Sequence, residues 1–165
     1  MSKVSAGAVV WRVRGGGLLA GAPSDDDLEV LLVHPGGPFW AKKDEGAWSF
    51  PKGELDGDDT PLETAARELL EETGLAPESD WHALGSVKLK SGKVVHGFAV
   101  DGNDCVLPAA HRPPQVRIEW PPRSGRETAF DEVDKVLWYS LAEARTKLNA
   151  AQVELLDRLL THLAP

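Results

Sequence analysis

The chain has little cysteine: Cys105 is the only one in 165 residues. It therefore contains no internal disulfide and no zinc site built from several thiolates. No apolar run approaches the ~18 residues that a membrane-spanning helix needs. The start, Met1-Ser2-Lys3-Val4, lacks the apolar stretch of a signal peptide. The expectation is a cytoplasmic protein with no membrane partner. Basic residues are also scarce, 18 against 26 acidic, for a formal net charge of −8. Such a surface repels nucleic-acid backbone unless a local basic patch offsets it. No basic stripe is visible, so no nucleic-acid partner is expected. The same acidity should repel small phosphates, unless the acid is concentrated somewhere to a purpose.

Hydrophobic residues make up 42% of the chain and charged residues 27%, which is the composition of a folded domain. The length fits one domain over 1–165, and a chain this size buries roughly 68–70% of its unfolded surface. Val4 to Val13 is rich in β-branched and apolar residues and reads as a strand ended by Gly15-Gly16-Gly17. Leu28 to His34 reads as a second strand pairing with the first. Ala47 to Phe50 reads as a short strand, followed by Pro51-Lys52-Gly53. Trp81–Lys90 and Lys93–Val100 flank Ser91-Gly92, a hairpin signal. Residues 101–114 look irregular. Val116 to Trp120 reads as a strand, 123–131 as a polar loop and Val133 to Tyr139 as another strand. Ser140-Leu141-Ala142-Glu143 is a capping box opening a short helix, and Asn149 is placed to cap a final helix through Leu163. Strands surrounding a few helices indicate one α/β or α+β domain.

The central helix has the clearest punctuation. Thr60 caps, Pro61 takes the first helical position and Glu63 completes a capping box. Leu62, Ala65, Ala66, Leu69 and Thr73 recur at helical spacing, and Gly74 is a C-terminal stop. On this helix Glu68, Glu71 and Glu72 share an arc of ~100° beside the apolar stripe. Like charges at these spacings cost a few tenths of a kcal/mol each on an exposed helix, and more when partly buried. A divalent cation converts the repulsion into coordination. Oxygen ligands without His or Cys suit Mg²⁺, or Mn²⁺, rather than zinc. A plain solvated helix face is the competing reading of the same charges.

The residues around the cluster read Gly53, five residues, Asp59, seven residues, then Arg67-Glu68-Leu69-Leu70-Glu71-Glu72-Thr73-Gly74-Leu75. This resembles the signature box of the Nudix hydrolases: Gly, five residues, Glu, seven residues, Arg-Glu-aliphatic-any-Glu-Glu-any-Gly-aliphatic. One fixed position departs from it, Asp59 standing where the family has Glu. The resemblance implies an α/β/α sandwich with a mixed sheet and Mg²⁺-dependent cleavage of a diphosphate bond in a nucleoside diphosphate derivative. It implies Glu68 and Glu72 as principal metal ligands, with Glu71 a further ligand or a base and a carbonyl near Gly53 contributing. Glu68 and Glu71 compete for the role of base. Arg67 is implied as a structural partner of an acidic residue, a pairing that the shorter Asp59 puts in question.

Trp48-Ser49-Phe50-Pro51-Lys52-Gly53 resembles a run in diadenosine polyphosphate hydrolases, which makes Lys52 a candidate phosphate contact. Glu132, six residues before Trp138, resembles the late glutamate that supplies another metal ligand or base in relatives. His34-Pro35-Gly36-Gly37-Pro38-Phe39-Trp40 and Glu119 to Arg126 resemble a bacterial subgroup of predicted nucleoside-triphosphate pyrophosphohydrolases. A nucleotide also needs a stacking surface and cations. Trp40, Trp120 or Phe39 could supply the first, and Lys42, Lys43, Arg123 or Arg126 the second. The expected partner is a small-molecule nucleotide, either a nucleoside triphosphate or a dinucleoside polyphosphate, bound to a monomer or homodimer. The alternative is a non-catalytic nucleotide-binding regulator on the same fold, since fold alone does not fix function. Retention of all three helix glutamates favours the enzyme.

Overall fold

The apolar run Val4–Val13 forms β1, and its two edges are used differently. One edge pairs in parallel with β5 (Val94–Asp101) from Val4 to Trp11. The other is shared. β2 (Leu28–Pro35) pairs antiparallel with Trp11 to Val13, while β3 (Lys52–Glu54) pairs antiparallel with Ser5 to Gly7. β1 and β2 therefore splay apart, and β3 sits in the gap. β4 (Trp81–Lys88) and β8 (Val133–Ser140) complete a mixed sheet of order β4-β5-β1-β2-β8. The computed structural model describes residues 3–165, so Met1 and Ser2 of the predicted leaderless start lie outside it.

Side chains alternate across β1 with the period of a pleated strand. Ala8 and Val10 join Leu31, Leu69, Leu75 and Val100 in one apolar cluster, under α1 (Pro61–Thr73). Val9 joins Leu28, Val30, Leu32, Leu141, Leu155, Leu156 and Leu159 in the other, under α2 (Leu141–Lys147) and α3 (Glu154–Leu163). The result is an α/β/α sandwich, as the resemblance to the Nudix hydrolases implied. α1 has the predicted limits. Thr60 Oγ1 accepts from the Glu63 amide, and Gly74 at φ 81° donates its N–H to Leu70 O. The capping box at Ser140 and Glu143 is present.

Three expectations need correction. The strand placed at Ala47–Phe50 lies instead at Lys52–Glu54, while Trp48 and Ser49 make only isolated bridges to Leu148 and Val33. The local apolar pattern marked the buried approach to the sheet rather than the paired segment. The polar loop placed at 123–131 contains β7 (Glu127–Asp131), which pairs with β6 (Gln115–Glu119) in a separate two-stranded ribbon. Its residues are mostly solvent-facing, so they carry no hydrophobic signal. The helix placed from Asn149 to Leu163 is broken. Asn149 caps a 3₁₀ turn over Ala150–Gln152, and α3 follows.

That 3₁₀ turn has a structural task. Gln152 is 1% exposed. Its Oε1 accepts from the Phe50 amide at 3.0 Å and from Ser49 Oγ at 3.2 Å, fixing the chain just before β3. Gln152→Leu leaves a buried amide unpaired, a cost of about 1–3 kcal/mol. A fall in Tm of several degrees by calorimetry is the expected result. No helix among the described residues is long and apolar enough to cross a membrane.

Candidate functional site

β3 delivers Lys52 and Gly53 to the gap between β1 and β2, and α1 crosses directly over it. This brings the two ends of the box together. A Cβ built on Gly53 would lie 2.2 Å from Cδ and 2.3 Å from Oε1 of Glu68. Only glycine leaves room for that carboxylate. Arg67 is hydrogen-bonded to Asp59, and its second terminal nitrogen lies 3.6 Å from Glu68 Oε1. The shorter Asp59 side chain thus reaches the arginine. Glu72 is 5% exposed, and its Oε2 is buried without a hydrogen-bond partner. Glu71 is exposed on the same helix.

Glu132 enters from the junction of β7 and β8. Its backbone is held on both sides: its N–H donates to Pro114 O at 2.8 Å, and its carbonyl accepts from the Gly36 amide at 3.0 Å. Lys52, Gly53, Arg67, Glu68, Glu71 and Glu132 line an open cleft of about 680 Å³. Lys93 and Glu54 also line it and are paired at 3.3 Å. A second pocket of about 250 Å³ shares Lys52, Glu72 and Glu132 with this centre and continues past Trp40, Trp48, Leu89 and Asn149.

The electrostatics follow from this crowding. Burial, then Glu68 and Glu132, push the Glu72 carboxyl well above the ordinary carboxylate value, against the pull of Lys52. Burial and the neighbouring Glu71 and Glu132 raise Glu68, with Arg67 opposing. Burial and Glu71 raise Glu132, with Lys52 opposing. Lys52 moves the other way. Burial and Lys93 lower its ammonium, while Glu72, Glu54 and Glu132 favour the charge. The site is thus a concentration of anionic oxygen that the protein itself leaves under-compensated. An unpaired buried carboxylate oxygen beside a second carboxylate seated on a glycine fits a hard divalent cation such as Mg²⁺ or Mn²⁺. Among the described residues no three His, Cys, Asp or Glu side chains are drawn together into a coordination group.

The other predicted contacts divide. Lys52 lies at the centre, and Trp40 lines the second pocket. Lys42 is exposed in the 36–46 loop and lines neither cavity. Arg123 and Arg126 sit exposed at the turn of the β6–β7 ribbon, away from both. Their place in the sequence near Trp120 does not bring them to the carboxylates, because the ribbon forms its own small sheet. Sequence reasoning passed over Glu54 and Gln152, and singled out Asn149 only as a helix cap. Glu54 directly follows Gly53, and strand alternation after the box glycine was the available signal. Asn149 and Gln152 are remote in sequence and carried none.

Comparison with known proteins agrees with this architecture. The "RNA pyrophosphohydrolase" of Xanthomonas campestris pv. campestris is 48% identical over 50 residues, a match covering 30% of this chain and 24% of that protein. The chain thus matches about a quarter of the length of such curated relatives. Over the whole fold it resembles an Ap4A hydrolase from C. elegans, with TM-score 0.62, 20% identity, and coverage of 96% of this chain and 97% of that one. It also resembles the Nudix domain of Shewanella oneidensis NrtR, solved with ADP ribose, with TM-score 0.61, 18% identity, and coverage of 99% and 90%. The model of the NUDIX domain family matches residues 3–159, and on that extent of match the chain belongs to the Nudix family.

Proposed function

We propose that this chain is a Mg²⁺-dependent pyrophosphohydrolase acting on a phosphoanhydride bond of a small nucleotide, either a nucleoside triphosphate or a dinucleoside polyphosphate. The observation that carries it is the unpartnered, buried Glu72 Oε2 beside a Glu68 carboxylate that only Gly53 can accommodate. In this reading Glu68, Glu72 and the Gly53 carbonyl would hold the ion, with Glu71 and Glu132 as further ligands. A bound divalent ion supplies charge neutralisation for the phosphates and a more acidic water.

The chain's own groups do the rest. Glu68 or Glu71 takes the proton as water attacks phosphorus; burial of Glu68 and the carboxylates beside it favour proton uptake at Glu68. Arg67 keeps the loop from Gly53 to Asp59 against α1. Lys52 meets a phosphate oxygen that the ion leaves free. Trp40, lining the pocket that opens beside Glu72 and Glu132, stacks the base. The whole chain 1–165 acts as one such domain, in the cytoplasm, where a lone Cys105 stays reduced.

The test is a panel of nucleoside triphosphates, dinucleoside polyphosphates and nucleoside diphosphate sugars with Mg²⁺, scored for monophosphate and pyrophosphate release. Cleavage of at least one class is expected. Saturable binding of nucleotides without turnover would instead favour a non-catalytic regulator. Within an active class, Trp40→Ala should raise KM while leaving kcat near wild type, since losing one base-aromatic stack costs about 1–3 kcal/mol.

A further inference from the structure

We propose that His34 is a positioning residue that sets the nucleoside pocket against the carboxylate centre. The proposal rests on Trp40 lining that pocket. His34 ends the buried part of β2 and is 1% exposed. Both ring nitrogens are engaged. Nδ1 lies 2.7 Å from Asp134 Oδ1, and Nε2 lies 2.6 Å from the backbone carbonyl of Lys43. The Lys43 carbonyl only accepts, so Nε2 donates to it, and Nδ1 makes the contact with the Asp134 carboxyl group. Its edge meets the Trp48 ring at 5.1 Å, which fixes the plane.

The two partners belong to the two segments that the site must keep in register. Lys43 closes the loop that carries Trp40. Its N–H donates to Trp40 O at 2.9 Å, and its ammonium lies over the rings of Phe39 and Trp40 at 3.7 and 5.0 Å. Asp134 stands two residues after Glu132 on the start of β8. Two residues beyond His34, the Gly36 amide donates to Glu132 O at 3.0 Å, and a Cβ there would meet Asp131 O at 1.9 Å. One buried imidazole therefore ties the Trp40 loop to the strand that presents Glu132. Sheet pairing holds only one of the two segments: β8 pairs with β2 through His34 with Lys135 and Pro35 with Val133. The loop lies outside the sheet, and the β2–β8 register shifts between His34 and Pro35. Asp44 anchors the far end of the loop to Trp48 Nε1 and Lys147, so loss of His34 frees the Trp40 end without releasing the whole loop.

The test compares ATP, which has a base, with inorganic triphosphate, which has none, in the presence of Mg²⁺. His34→Phe keeps the ring and its packing on Trp48 but donates nothing. KM for ATP should rise about tenfold, the loss of one strong buried hydrogen bond. The kcat and the Ki of triphosphate as a competitive inhibitor should stay within about twofold. Unchanged KM, or KM and Ki rising together, overturns the proposal. Trp40→Ala measured alongside separates the two ideas. If it raises KM and His34→Phe does not, the pocket stands and the positioning role fails. If neither does, both fail. Should His34→Phe not fold, His34→Gln retains an amide donor for one acceptor, and a rise in KM of about threefold with Ki unchanged is the expected result. An unchanged KM there overturns the proposal equally.

Discussion

Replacing Glu72 with glutamine is expected to abolish Mg²⁺-dependent hydrolysis while making the metal-free protein more stable. The two effects have one cause. Glu72 is nearly fully buried, one of its oxygens has no partner, and Glu68 and Glu132 crowd it. In the proposed reading that carboxylate is an ion ligand. Even partners one shell further out typically cost 10–100-fold when removed, so a loss of at least about 10²-fold in kcat/KM is expected. As a structural element it is a liability, because an unpaired buried charge costs about 1–3 kcal/mol or more. For a chain of this size, about 2–4 °C of Tm corresponds to each kcal/mol.

The pH dependence has a definite sign. The folded protein holds the Glu72 proton to a higher pH than the unfolded chain, which releases it near the ordinary value of 4.5. Its favourable contribution is therefore complete below that value and is lost as pH rises through the raised folded value. Glu68 and Glu132 shift in the same direction. Asp25, Asp44 and Glu54, each lowered by a cationic partner, act oppositely. The clean readout is therefore the difference in Tm between Glu72→Gln and wild type without metal. It should be small near pH 4.5 and widen as pH rises. Saturating Mg²⁺ should shrink it by stabilising the wild type alone.

Gly53→Ala is the second large effect. The added methyl would occupy the space of the Glu68 carboxylate. β3 has only three residues, and its neighbour Lys52 is already packed closely against Gly7, so the backbone has little room to retreat. The carboxylate must move instead. A displacement near 1 Å at a reacting centre costs roughly 10²-fold in rate. The loss of kcat should reach that size while circular dichroism stays native. Full activity in Gly53→Ala would mean that the Glu68 position seen here is not the working one.

The box carried most of the site in its spelling, because its chemistry is local. A thirteen-residue helix places Glu68, Glu71 and Glu72 on one arc whatever surrounds it. The helix limits were equally plain, since Thr60, Pro61 and Gly74 act within one turn of each end. The pairing of Arg67 with Asp59 needed coordinates, because one missing methylene can be absorbed by a small loop adjustment. The shift of β3 from Ala47–Phe50 to Lys52–Glu54 has a different origin. Phe50 and Trp48 are apolar because they are buried in the core, yet it is the mixed Lys-Gly-Glu segment that fills the gap between β1 and β2. Long-range pairing decided that register. Arg123 and Arg126 looked like phosphate contacts by their company in sequence. They stand instead on the outer turn of a ribbon whose second strand, Glu127–Asp131, has its two apolar residues side by side and no apolar alternation to announce it. His34 was visible only as the end of the second strand and the start of the His34-Pro35-Gly36-Gly37 run. Its two partners lie 9 and 100 residues away.

An acidic chain of net charge −8 is proposed to act on phosphates. Glu68, Glu71, Glu72 and Glu132 bring part of that charge to one place, with Lys52 as the cation beside it. A bound divalent ion would reverse the local sign that a phosphate meets. The most direct measurement is Mn²⁺ binding, followed by titration calorimetry on the wild type and on Glu72→Gln at neutral pH. Saturable binding to the wild type, weakened at least about tenfold in the variant, is the predicted result. Equal binding by both proteins, or none by either, would contradict a metal centre built on this helix.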